Sequence, residues 1–139
     1  MADRVRDACE ACFDANADDC SGFVSAVAIQ LGIDLEGLAD QIVDTIRHGN
    51  DWARLPDALA AAQNAALGQF VVAGLKGSEQ AKPDLHGHVV VVDGPLADGR
   101  YPNAYWGRLG GGGRKHRTIN SAWKAEDRDR VSYAAHKIT

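Results

Sequence analysis

The 139-residue sequence has no long apolar run. A transmembrane helix needs roughly 20 consecutive apolar residues, so we expect no membrane-spanning segment and no membrane partner. Residues 1–7 are largely charged and no apolar segment follows them, which predicts that a cleavable secretory signal is absent. Apolar residues make up 45% and charged residues 24% of the chain, which excludes wholesale disorder. The length fits one domain over residues 1–139.

Basic residues and cysteines are both in short supply. Lys and Arg number 15 against 19 Asp and Glu, and the net charge of −4 argues against a nucleic-acid-binding protein. The three cysteines, Cys9, Cys12 and Cys20, all lie near the N-terminus. Because their number is odd, at least one thiol is unpaired and needs an explanation.

The first half of the chain has helical periodicity, with apolar residues at intervals of three and four. After Gly68 the sequence is richer in β-forming residues, and four valines behind His88 predict a central strand. Helices followed by antiparallel strands indicate an α+β fold, with N-terminal helices packed on a small antiparallel sheet. We predict helices at 2–15, 20–31, 34–48 and 57–67, strands at 70–75, 86–92, 103–109 and 131–136, and a helical turn at 119–123.

Cys20 lies where a polar segment gives way to an apolar helix, which places it at or near the helix N-terminus. Backbone N–H groups there lack intrahelical partners, and the helix dipole is positive. This environment lowers a thiol pKa, as a cysteine nucleophile requires, and the same N–H groups can bind an oxyanion. The alternative is that Cys20 is a small buried apolar residue.

A nucleophilic cysteine needs a base, and His88 at the start of the valine-rich strand is the candidate. An unperturbed histidine pKa of about 6.5 suits general acid–base catalysis near neutral pH. The alternative is a strand-end histidine that is hydrogen-bonded to a neighbour.

A structural zinc site is the rival interpretation of the cysteines and histidines. Cys9 and Cys12 share a helix face, and His86 and His88 share a strand face, so the four side chains could ligate zinc. However, a regular helix lacks the knuckle turn common in such sites, and both cysteines fall on an apolar face. Cys9 and Cys12 are therefore interpreted as core residues, and a disulfide between them would strain the helix.

Basic residues flank a run of four glycines at 110–113. The sequence predicts a mobile basic loop there, either solvated or in contact with an acidic ligand or an acidic partner protein. Its residues are Arg108, Arg114, Lys115, His116 and Arg117. The alternating charges at 127–130 are interpreted as ion pairs on the surface.

Six segments occur in order along the chain: DCSGFV at 19–24, AGLKG at 73–77, GHVVV at 87–91, GPL at 94–96, YP at 101–102 and DRDR at 127–130. Together they resemble the type VI secretion amidase effectors of family 1. These are small bacterial toxins related to NlpC-type, papain-like cysteine peptidases. The resemblance runs from about Val5 to Tyr133, nearly the whole chain.

The resemblance implies a papain-like, NlpC-type α+β fold and an antibacterial toxin that degrades the cell wall. The expected substrate is the peptidoglycan stem peptide, cut between the γ-carboxyl of D-glutamate and meso-diaminopimelate. Cys20 matches the family nucleophile and His88 the general base, and no metal or organic cofactor is needed. The resemblance also implies export by the type VI secretion apparatus, action in the periplasm of the target bacterium, and a cognate immunity protein. We expect a monomer.

Papain-like enzymes commonly use a third polar group to orient the histidine. Asn103 or a backbone carbonyl could fill that role, whereas Ala104 and Trp106 are poor candidates. Two other functions stay open. One is a papain-like hydrolase or acyltransferase acting on a protein or lipid, and the other is a non-enzymatic binding module with Cys20 and His88 in its core.

Overall fold

The computed structural model describes residues 3–96 and 99–138. The α-helices are α1 (Arg4–Asn16), α2 (Cys20–Gln30), α3 (Ala39–His48), α4 (Ala58–Ala66) and α5 (Ala125–Arg128). The strands are β1 (Ala53–Leu55), β2 (Phe70–Leu75), β3 (His88–Leu96), β4 (Pro102–Trp106), β5 (Arg114–Thr118) and β6 (Ser132–His136). Single 3-10 turns span Gly77–Glu79 and Ile119–Ser121.

The described strands form one antiparallel sheet in the order β1-β6-β2-β3-β4-β5. The α+β prediction is confirmed, and β3 lies next to the middle of the sheet as predicted. Strand β3 is apolar on both faces because each face packs against a separate core. Val89 and Val91 face α1, α2 and α3, whereas Val90 and Val92 face the side covered by α4 and by Trp123.

Helix α3 begins five residues later than predicted. Gly37 has φ +111°, a left-handed conformation that a helix cannot include, and the helix starts only after Leu38. The preceding segment is held instead by the buried side chains of Ile33 and Leu35. The apolar spacing of this segment therefore reflects side chains that reach the core from a non-helical backbone.

Three elements escaped the sequence analysis: β1, β5 and α5. Strand β5 consists of polar and charged residues, and it pairs with β4 at the edge of the sheet. The prediction of a mobile basic loop is therefore wrong for residues 114–117. An edge strand tolerates charged side chains without apolar alternation, which is why its sequence carried no strand signal.

The strands predicted at 86–92 and 103–109 have different limits in the structure. Strand β3 starts at His88 and extends to Leu96, and β4 ends at Trp106 instead of continuing to 109.

The surface interpretation of Asp127 is wrong, because this carboxylate is buried and accepts the N–H of Ala81 at 2.8 Å. None of the helices within 3–96 and 99–138 is long and apolar enough to cross a membrane.

Candidate active site

Cys20 is the first residue of α2, as predicted. Asp19 caps the helix: its Oδ1 accepts the N–H of Gly22 at 3.0 Å and the hydroxyl of Ser21 at 3.1 Å. A Cβ at Gly22 would lie 2.5 Å from the other carboxylate oxygen of Asp19, so a side chain there would displace the capping carboxylate. The capped N-terminus fixes the backbone that carries the Cys20 sulfur.

The electrostatic surroundings of Cys20 differ from the expectation of a lowered thiol pKa. Burial of the sulfur raises the pKa of Cys20, and the Asp19 carboxylate adds to the rise. Backbone N–H groups of Val89 and Ser21, which donate to the sulfur, and the charge of Arg108 oppose it without reversing it. The predicted lowering is therefore wrong for the unliganded site, because desolvation outweighs the helix N-terminus.

His88 begins β3 and is buried, with 7% of its surface exposed. Burial lowers the pKa of His88 to about 3, and the nearby charge of Arg108 contributes. The imidazole is therefore neutral near pH 7. The valines that follow His88 hold its strand in the sheet. Asp40 accepts the N–H of Gly77 at 3.1 Å, and Gly77 follows Leu75, the residue of β2 that pairs with His88.

The orientation of the His88 ring comes from aromatic packing. The rings of Trp123 and Trp106 lie edge-on to it, with centroid distances of 5.2 and 6.3 Å. Within the described chain, His88 Nε2 is buried and has no hydrogen-bond partner. Asn103 does not fill that role, because its amide nitrogen lies 3.4 Å from Nε2 of His116. The Asn103 possibility is therefore corrected, and the two tryptophans pack against the histidine ring.

Cys20 and His88 line one cavity of about 1250 Å³. Its walls are the start of α2, the start of α3, the segment 80–87, Arg108 with its neighbour, and the segment 120–128. Three leucines at the cavity are 68%, 89% and 81% exposed, namely Leu38, Leu85 and Leu109. The structure thus brings the predicted nucleophile and the predicted base to the same cleft, whose rim carries exposed leucines among charged residues.

No family model matches the chain. Over 128 aligned residues the chain is 38% identical to the peptidoglycan amidase Tse1 of Pseudomonas aeruginosa. The alignment covers 88% of this chain and 78% of that relative. The chain belongs to family 1 of the type VI secretion amidase effectors.

In this member of the family, Gly107 and Gly113 pack directly against the residues before Cys20. A Cβ at Gly107 would lie 2.1 Å from the carbonyl oxygen of Asn16 and 2.5 Å from that of Asp19. A Cβ at Gly113 would lie 2.4 Å from the carbonyl oxygen of Ala17. These close backbone contacts join the end of β4 to the N-terminus of α2, so this part of the loop is a structural support of the site.

The four residues of the zinc interpretation do not assemble in the effector. Cys9 is fully buried in the core and Cys12 packs against it, which confirms their interpretation as packing residues. Burial raises the pKa of the Cys9 thiol well above its ordinary value. His86 is exposed beside the cavity, and no described residues form a cluster of three or more metal-ligating side chains.

Two residues of the predicted basic loop, Lys115 and His116, contact acidic groups of the chain itself. The buried Asp93 carboxylate lies 2.6 Å from Nδ1 of His116 and 3.2 Å from Nε of Arg6. Lys115 and Tyr105 both donate to the carboxylate of Glu10, the lysine at 3.0 Å. This network ties β5 to α1. For Lys115 and His116, the carboxylates of Glu10 and Asp93 thus take the place of the acidic ligand or partner that the sequence suggested.

Proposed function

We propose that the protein is a peptidoglycan amidase that cuts stem peptides by a Cys20–His88 thiol mechanism. The observation that carries the proposal is the meeting of these two side chains in one cavity, in a chain 38% identical to a peptidoglycan amidase. Family membership points to the amide between the γ-carboxyl of D-glutamate and meso-diaminopimelate. A helix-borne cysteine followed by a strand-borne histidine on an antiparallel sheet is also the chain order of papain-like folds, which supports the NlpC-type assignment.

The electrostatics of the site favour a neutral resting pair. Burial keeps the Cys20 thiol protonated and the His88 imidazole unprotonated near pH 7. His88 therefore accepts the thiol proton as the sulfur attacks the amide carbonyl. This differs from a preformed thiolate–imidazolium pair, because the desolvated site penalises both charges.

The remaining steps follow from the same two residues. Negative charge develops on the carbonyl oxygen, and we assign its stabilisation to the backbone N–H of Cys20 at the positive end of α2, because the N–H groups of Ser21 and Gly22 already donate to the sulfur and to Asp19. Protonated His88 gives its proton to the leaving amine as the carbon–nitrogen bond breaks, which leaves a thioester on Cys20. His88 then takes a proton from water as the water attacks the thioester, and the released thiolate recovers that proton. No step requires a metal or an organic cofactor.

We further propose the biological setting that family membership implies. The protein is exported by a type VI secretion apparatus, acts on the cell wall in the periplasm of the target bacterium, and is neutralised by a cognate immunity protein. The three exposed leucines around the cavity give such an inhibitor apolar side chains to cover.

Digestion of purified peptidoglycan, followed by liquid chromatography and mass spectrometry, tests the activity. We expect the wild type to release fragments cut between D-glutamate and meso-diaminopimelate, and Cys20→Ala and His88→Ala to release none while remaining folded. Cys12→Ala is the matched control, because it removes a thiol that packs on the core outside the cavity. Wild-type cleavage by Cys20→Ala would show that the assigned nucleophile is wrong. An inactive wild type would favour a different substrate or a binding module.

A further inference from the structure

We propose that Arg108 binds a carboxylate of the substrate, the free α-carboxylate of the D-glutamate residue whose γ-carboxyl is attacked. The inference rests on the proposed function. When the γ-carboxyl forms the scissile amide, the α-carboxyl stays ionised and lies four bonds from the attacked carbon, within about 5 Å. A cation placed beside the nucleophile is therefore in reach of this group.

Arg108 is placed beside both Cys20 and His88. Val91 of β3 lies opposite Tyr105 of β4 in the antiparallel sheet. Continued past the end of β4, the same register brings Arg108 opposite His88. Arg108 lines the same cavity as the two proposed catalytic residues. Its charge is close enough to act on the pKa of each of them.

The side chain of Arg108 is held at both ends. Its backbone N–H donates to the carbonyl of Ala17 at 3.0 Å, and Nη2 donates to the carbonyl of Ala122. A Cβ at Gly112 would lie 2.8 Å from Cδ of Arg108, so the glycine makes room for the arginine stem. The glycine run therefore leaves the space that the Arg108 side chain occupies.

The guanidinium is half-buried and has no carboxylate partner among the described residues. Other partly buried arginines do have one: Arg47 lies 2.7 Å from Glu79, and Arg6 lies 3.2 Å from Asp93. Burial lowers the pKa of Arg108, and no carboxylate acts to raise it. Only one of its five side-chain N–H groups is committed to Ala122, which leaves donors for a two-point contact with an incoming carboxylate.

Amidated and unamidated stem peptides provide the direct test, since D-isoglutamine lacks the charge of D-isoglutamate. For the wild type, amidation is expected to lower kcat/KM by about 10- to 100-fold, chiefly through KM, as a charge-assisted hydrogen bond predicts. Arg108→Gln should cut both peptides at similar rates, and Arg108→Lys should keep part of the preference. Arg114→Gln is the matched control, because it removes an exposed charge nearby that does not line the cavity.

Alkylation of Cys20 gives a second readout that needs no peptidoglycan. The rate ratio of the anionic reagent iodoacetate to the neutral iodoacetamide, mapped to Cys20 by mass spectrometry, should fall in Arg108→Gln and not in Arg114→Gln. If the wild type cleaves both stem peptides equally well, the inference is overturned while the proposed function stands. If the wild type cleaves neither, the proposed function fails. An alkylation ratio unchanged by Arg108→Gln then overturns anion recognition as well.

Discussion

Substitution of Gly107 by alanine tests how the site is supported. The added Cβ would lie 2.1 Å from the carbonyl oxygen of Asn16 and 2.5 Å from that of Asp19. A relaxed carbon–oxygen contact is more than 3 Å, so β4 and the start of α2 must separate by about 1 Å. Both contacts are with backbone, which cannot rotate out of the way.

Two measurable effects follow from this separation. Overpacking of this size costs about 1 to 3 kcal/mol of unfolding free energy. The displaced segment carries Cys20, and a misplacement of about 1 Å lowers turnover by roughly 100-fold. Urea denaturation and cleavage of a stem peptide by the folded protein measure the two effects separately.

Gly111→Ala is the control for the glycine substitution itself. Gly111 has φ +88°, and its Cβ would meet no atom within 4 Å. We expect a backbone strain of about 1 kcal/mol and nearly unchanged turnover of the folded protein. Equal stability and turnover in Gly107→Ala and the wild type would refute the claim that this contact positions Cys20.

Two further predictions concern His88. Replacing Trp123 by leucine should lower kcat by about 10-fold or more with little change in KM, because the ring loses the closer of its two aromatic neighbours; Trp123→Phe should restore most of the activity, and equal losses in both variants would contradict the role assigned to aromatic packing. Because the pKa of His88 falls from an ordinary 6.5 to about 3 in the fold, the unfolded chain binds a proton that the native protein rejects between these values. Stability should therefore decline as pH falls from 6.5 toward 3, by about 3 to 5 kcal/mol, and a pH series of urea denaturations should show a flatter decline for His88→Gln. Parallel curves would rule out a neutral buried imidazole.

The elements that could be predicted from sequence are those with a strong repeating pattern. The valines after His88 predict a strand buried on both faces, and both faces are covered in the structure. The break before Cys20 predicts a helix N-terminus, and α2 begins at that residue with Asp19 as its cap. These features depend on local backbone preference and on apolar spacing, which neighbouring residues carry by themselves.

The charged edge strand and the buried Asp127 could not be predicted in the same way. Strand β5 forms because β4 offers it a hydrogen-bonding edge and because α1 supplies Glu10 to pair with Lys115. Asp127 is buried because the N–H of Ala81, distant in sequence, needs an acceptor. Each partner is brought in by tertiary structure, so no local pattern marks it.

The sequence by itself determined the fold class, the helix that begins at Cys20, the presence of a valine-rich strand that contains His88, and the family to which the chain belongs. The tertiary structure decided the chemical state of the site. Desolvation raises the pKa of Cys20 against the helix dipole and lowers that of His88, because burial depends on which elements cover a side chain. It also decided that tryptophans hold the histidine and that Arg108 enters the cavity without a carboxylate partner among the described residues. Such contacts join residues far apart in the chain, and only folding brings them together.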